Sequence, residues 1–125
     1  MRMKTTKQQE IEIGDLYYTS WGYDQTNYEY IIIEEISKTG KTVKARRTHH
    51  KDVGYSDQCY KQQPIAEPFG DQFRLYVRRY SDGDVTLVGQ YPFCYDASMD
   101  NTRMGYFWPV KGGKIFYETD TMFGH

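Results

Sequence analysis

The sequence predicts one mainly β domain, a small antiparallel β-barrel or strongly curved sheet with at most one short helix. Three observations carry that expectation. The apolar residues are of the sheet-forming kind: fourteen isoleucines and valines and thirteen tyrosines stand against three leucines and three alanines. β-Branched and aromatic side chains suit a pleated, half-buried surface, whereas Leu and Ala favour helices. Short alternating stretches lie between turn signals, and no long amphipathic helix interrupts them. So many short strands in one chain are accommodated best when the sheet closes or nearly closes, which removes most exposed edges.

The elements follow in order. Residues 1–10 are polar and read as a flexible lead-in, with one β-rich domain over 11–125. Ile11, Ile13 and Leu16 suggest a first strand that Gly14-Asp15 bends. Trp21 to Asn27 is turn-forming apart from its aromatics, and it leads to Tyr28 to Ile36, an apolar run too β-branched to prefer a helix. Lys38-Thr39-Gly40-Lys41 is a turn, after which Val43 and Ala45 alternate with Lys44 and Arg46, so this strand and the one before it form a hairpin. From His49 to Gly70 periodicity fades, and the reading is a long connection with a short helix or irregular strand. A second hairpin joins Gln72–Tyr80 to Val85–Gln90 through Asp82-Gly83, a dipeptide whose turn matches the twist of paired strands. Tyr91 to Gly105 reads as loop, and Gly112-Gly113 as the turn of a third hairpin between Tyr106–Val110 and Lys114–Glu118.

Length and composition bound the function classes. A chain of 125 residues fits one domain, and a fold of this mass buries about two-thirds of its extended surface. At 38% hydrophobic and 17% aromatic it has the packing material that disordered chains lack. No run of about 18 apolar residues is present and the lead-in has no signal-peptide core, so neither a membrane helix nor secretion is supported and the cytoplasm is expected. Cys59 and Cys94 stand apart in sequence and are expected as reduced thiols. His49, His50 and His125 are too scattered for a metal site, since adjacent strand residues point to opposite faces. No activated nucleophile and no phosphate-cradling glycine loop appears, so no cofactor and no enzymatic activity are expected.

Net charge is −1, so attraction to a polyanion must be local. One local bias lies in Ile36 to Lys51, which holds Lys38, Lys41, Lys44, Arg46, Arg47 and Lys51 without an acid, as a solvated face or a binding segment. Two further constellations carry candidate residues. In the loop after the first strand, Trp21, Tyr23, Asp24, Gln25 and Asn27 combine aromatic rings with hydrogen-bonding groups. That mixture suits stacking a planar ligand and binding its edge, or equally a self-structured turn capped by Asp24 or Asn27. In the second hairpin the strand period places Phe73, Leu75 and Val77 on one face and Arg74, Tyr76, Arg78 and Tyr80 on the other. Guanidinium and phenol groups in alternation fit a partner protein, a nucleic acid, or a plain solvated face.

The string Ser20-Trp21-Gly22-Tyr23-Asp24-Gln25-Thr26-Asn27, with Gly14-Asp15 before it and Lys41-Thr42-Val43 after it, resembles a family of small proteins found on bacteriophages and conjugative elements. Trp108-Pro109, Gly112-Gly113, Tyr117-Glu118-Thr119 and the terminal Gly124-His125 are similar to that family's end, which shows Trp-Asp-Gly-Lys/Arg-Pro, Tyr-x-Thr and Gly-His. Pro109 stands where the family has an acid, and residues 48–103 carry no resemblance. The resemblance implies provenance on a mobile element rather than a mechanism. The expectation is therefore a non-enzymatic accessory protein that captures a host protein, a nucleoprotein complex or a nucleotide-like ligand, and so can inhibit a host defence. The alternatives are a small barrel that binds single-stranded nucleic acid and an oligomeric structural component.

Overall fold

Gly14 and Asp15 do bend the chain, but ahead of the first strand rather than within it. Gly14 takes a positive φ of 96° and donates to the Ile33 carbonyl at 2.8 Å, while the Asp15 carboxylate accepts from the Glu12 amide at 2.9 Å. Ile11 is buried, Ile13 is left exposed, and β1 runs only over Leu16–Trp21. The computed structural model describes residues 11–21, 27–56, 59–112 and 114–119. Six further strands follow: β2 (Asn27–Ile36), β3 (Thr42–Ser56), β4 (Cys59–Arg79), β5 (Val85–Pro92), β6 (Thr102–Pro109) and β7 (Phe116–Thr119). Among the described residues there is no helix.

All pairings are antiparallel, in the order β3-β2-β1-β6-β5-β4-β7, and β3 pairs with β4 as well. The first six strands therefore close on themselves into a ring, a strongly curved sheet as the composition predicts. The two expected hairpins form, with Ile36↔Val43 next to one turn and Arg79↔Val85 next to the other. Strict alternation fills the ring: Tyr17, Ile31, Ile33, Val43, Ala45, Phe73, Leu75, Leu87 and Phe107 point inward and are buried.

Two further expectations fail, each for a physical reason. Residues 49–70 are not a long connection but the distal arms of the β3–β4 hairpin. Their outer half is solvated, so Val53, Tyr55 and Tyr60 are exposed and show no apolar alternation. Prolines 64 and 68 flank a register shift opposite Thr48 and His50. There the Thr48 hydroxyl replaces the ladder, donating to the Ile65 carbonyl and accepting from the Glu67 amide, as proline at a bulge requires. The last strand also goes elsewhere. β6 is already flanked by β5 and β1, so β7 pairs instead with the start of β4, Gln62↔Phe116 through Cys59↔Thr119.

The distal hairpin and β7 lie over the outside of β1 and β2. Phe116 sits 4.7 Å from Tyr18, 5.0 Å from Tyr28 and 5.3 Å from Tyr30, centroid to centroid, spacings at which aromatic pairs add about 0.5–1.5 kcal/mol each beyond burial. The Tyr30 hydroxyl donates to Gln62 at 2.8 Å, and Gln62 donates to Glu118 at 2.8 Å. β2 is thus covered on both faces, which is why it reads as a continuous apolar run.

Burial holds these phenols neutral. It pushes Tyr17 up to about 12, helped by Asp15 and opposed by Arg79, and it also raises Tyr28, Tyr30 and Tyr91. Below the ordinary value of 10 both folded and unfolded chains keep these protons, and stability is intact. Above it the unfolded chain ionises first, so each such tyrosine removes stability as pH rises until its folded value is reached. The phenolate absorbance of the buried set is expected to appear together with loss of the circular dichroism signal. A single non-cooperative rise near pH 10 would contradict this packing.

Candidate binding face

On β4 the strand period does what the sequence predicts: Phe73 and Leu75 enter the ring, while Arg74, Tyr76 and Arg78 point outward and are exposed, as is Tyr80 beyond them. Tyr76 pairs with Val88 of β5, and Val88 with Tyr106 of β6. One step along, Arg78 pairs with Thr86, and Trp108 pairs with Tyr18 of β1. With strands about 4.8 Å apart, the Tyr76 and Tyr106 positions lie about 10 Å from each other across Val88. The outer wall of β4, β5, β6 and β1 is therefore one aromatic surface, with Tyr76 59% and Trp108 41% exposed. A groove of about 530 Å³ crosses it beside Tyr18, Thr86 and Trp108, bordered by Tyr80, Asp84, Lys111 and Lys114.

Charge on this wall is mostly unspent. Among the described residues neither Arg74 nor Arg78 forms an ion pair or a side-chain hydrogen bond. The basic segment of 36–51 is different. Lys44 meets Glu35 at 3.8 Å, Arg46 meets Glu34 at 3.3 Å, and Arg47 meets Glu29 at 3.9 Å. The neutralising acids come from β2 across the ladder, Glu34 and Glu35 on the sheet surface and Glu29 inside the ring, so Lys44, Arg46 and Arg47 are matched while, among the described residues, Lys38, Lys41 and Lys51 form no ion pair. His50 adds a contact to Asp52 at 3.9 Å, and His49 stacks on Phe69 at 4.2 Å.

The end of the ring near Trp21 has a polar interior that sequence reasoning missed. Glu29, 8% exposed, accepts from the Tyr91 hydroxyl at 2.5 Å. Tyr91 in turn accepts from Arg103 Nε at 3.1 Å. Arg47 donates to the Pro92 carbonyl at 3.2 Å and the Cys94 carbonyl at 2.7 Å, tying down the chain after β5. The signal was available in principle, since Glu29 and Arg47 fall on the inward parity of their strands, but an ion pair is invisible until the strands are registered.

Trp21 and Asn27 face each other as the last rung of the β1–β2 hairpin. Trp21 is 44% exposed with the Arg103 guanidinium 5.1 Å over its ring, and Asn27 is buried, its Nδ2 without a partner among the described residues. Tyr23, Asp24 and Gln25 lie outside the described residues. Trp21 continues the inward parity of Tyr17 and Thr19 at the end of the ring, whereas Arg74, Tyr76 and Arg78 point outward two strands further on, so the structure does not bring the two candidate groups together. Tyr106 and Trp108 are additions that the strand period after Gly105 could have supplied, whereas Lys111 and Lys114 lie past the end of β6, where no strand period reaches.

Among the described residues no group of three His, Cys, Asp or Glu side chains is placed to hold a metal ion, both cysteines are free, and no helix is long and apolar enough to cross a membrane. Comparison with protein families, curated proteins and solved structures finds no match to this chain.

Proposed function

We propose that this protein is a non-enzymatic binding module that holds single-stranded nucleic acid on the outer wall of β4, β5, β6 and β1. The carrying observation is the row of Arg74, Tyr76, Arg78 and Tyr80, whose two arginines have no acid partner among the described residues and whose rings continue into Tyr106 and Trp108. Flat aromatic groups accept bases without regard to sequence, and unpaired cations between them suit the phosphates. A cytoplasmic accessory role on a phage or mobile element, including interference with a host nucleoprotein defence, fits such a module. A protein partner on the same wall is the second reading. It is favoured by Met104, 53% exposed, which adds apolar surface that a phosphate backbone does not need.

A labelled oligothymidylate titrated by fluorescence anisotropy decides between them. Binding is expected at low salt, with log affinity falling against log salt with a slope of about −3 if four cations each neutralise a phosphate. The Arg74→Ala/Arg78→Ala variant is expected to halve that slope, and Trp108→Ala to weaken binding by about 5- to 150-fold, the range for one lost stacking ring. No binding at low salt, or an affinity indifferent to salt, would remove nucleic acid from consideration and leave the protein partner.

A further inference from the structure

The ring has one weak seam. β1 and β6 pair only at Tyr17↔Pro109 and Tyr18↔Trp108, although β1 continues to Trp21 and β6 begins at Thr102. Past Tyr18 the two strands part, and a slot of about 200 Å³ opens between Thr19–Trp21 on one side and Arg103–Tyr106 on the other, with Tyr91 in its lining. Gly105 is what admits that ring: a Cβ there would stand 2.6 Å from Tyr91 Cε1 and 3.0 Å from Phe107 Cε1.

Arg103 is held in this slot as a prepared donor. Its Nε is engaged by the Tyr91 hydroxyl, which the buried Glu29 anchors from behind. Its guanidinium lies 5.1 Å from the Trp21 ring centroid and 4.9 Å from that of Phe93. The group is fixed on one edge and stacked against rings. Among the described residues its two terminal nitrogens donate to nothing and no carboxylate pairs with it. Glu29 is occupied by Tyr91 and Arg47. A half-buried guanidinium with a free fork, already desolvated by rings, matches the two-oxygen edge of a phosphate.

We propose that the β1–β6 slot is a nucleotide subsite: the Arg103 fork takes the phosphate, and the base lies against the exposed rings of Trp21 and Tyr106 at the mouth. The choice of a nucleotide rests on the reading of the outer wall, onto which the slot opens through Tyr106 and Trp108. The anion site rests on its own geometry.

Adenosine 5′-monophosphate, adenosine and inorganic phosphate are the probes, read by Trp fluorescence and calorimetry. The monophosphate is expected to bind the protein at least about tenfold tighter than adenosine, the gain from charge-assisted hydrogen bonds. Arg103→Gln is expected to abolish that gain. Arg103→Lys keeps the charge without the fork and is expected to lose most of it, which serves should the Gln variant misfold. Arg74→Ala/Arg78→Ala is expected to leave monophosphate binding unchanged while weakening the oligonucleotide. Equal affinity for the monophosphate and adenosine, or indifference to both Arg103 variants, overturns the subsite. Oligonucleotide binding without monophosphate binding overturns the subsite and leaves the wall. Monophosphate binding without oligonucleotide binding supports the subsite and overturns the wall.

Discussion

Replacing Glu29 by Ala is expected to cost about 3–5 kcal/mol of folding stability, the range for stranding one member of a buried ion pair. Glu29 is almost fully enclosed and faces two groups that depend on it, Arg47 at 3.9 Å and the Tyr91 hydroxyl at 2.5 Å. Without it Arg47, whose side chain is 12% exposed, keeps the Pro92 and Cys94 carbonyls and the Phe69 ring 5.3 Å away for its charge, and among the described residues its Nε is without a partner. Urea unfolding followed by circular dichroism measures the loss. Glu29→Gln, which still offers an oxygen to Tyr91, is expected to fall between wild type and Ala. Glu29→Leu with Arg47→Met removes both charges together and is expected to be less destabilised than Glu29→Ala alone, because no unpaired ion remains inside. If Glu29→Ala and the double replacement cost the same, the pair does not carry the stability of this end of the ring. Loss of Glu29 also releases Tyr91 and hence Arg103, so it bears on the slot as well as on the fold.

The parts of this architecture that were legible in the sequence are those fixed by local pattern. Asp82-Gly83 and the two-residue period of Phe73 to Arg78 specify the β4–β5 hairpin and also which side chains leave the ring, so the Arg74, Tyr76, Arg78 row could be written down beforehand. The parts that were not legible depend on which strands meet. β7 joins β4 because β6 has no free edge, a consequence of ring closure that no window around Gly112 contains. The distal β3–β4 arms carry prolines and solvated faces, and Thr48 repairs the ladder from outside the window that looked irregular. The basic segment misleads for the same reason, since Glu29, Glu34 and Glu35 reach it across the ladder. The slot is the extreme case. It exists because the β1–β6 pairing stops after two residue pairs, and Arg103 matters because its neighbours are Trp21, Tyr91 and Phe93, which come from β1, from β5 and from the chain just after β5.

Gly70→Ala is the second large effect, with about 2–5 kcal/mol expected from two separable sources. Gly70 has a φ of +80°, where a Cβ costs about 1–2 kcal/mol. That Cβ would also stand 2.1 Å from Ala97 Cβ and 2.7 Å from Ala97 O, and overpacking of this kind adds about 1–3 kcal/mol. The contact pins the chain after β5 to β4: Asp71 N donates to Ala97 O at 2.9 Å, and Met99 N donates to the Asp71 carboxylate at 2.9 Å. Gly40→Ala separates the sources, because Gly40 has a φ of +73° but its nearest neighbour would be the flexible Arg79 guanidinium at 3.4 Å. It is expected to show the conformational cost alone. Adding Ala97→Gly to Gly70→Ala removes the Cβ–Cβ clash and relieves Ala97, itself at a φ of 52°, while the close carbonyl remains, so recovery should be partial. Thermal unfolding reads all four proteins at about 4 °C per kcal/mol. Equal shifts for Gly40→Ala and Gly70→Ala would mean that Ala97 does not pack on β4. The segment that brings Phe93 to Arg103 would then be anchored by Arg47 at Pro92 and Cys94 and by the Asp71 carboxylate at Met99.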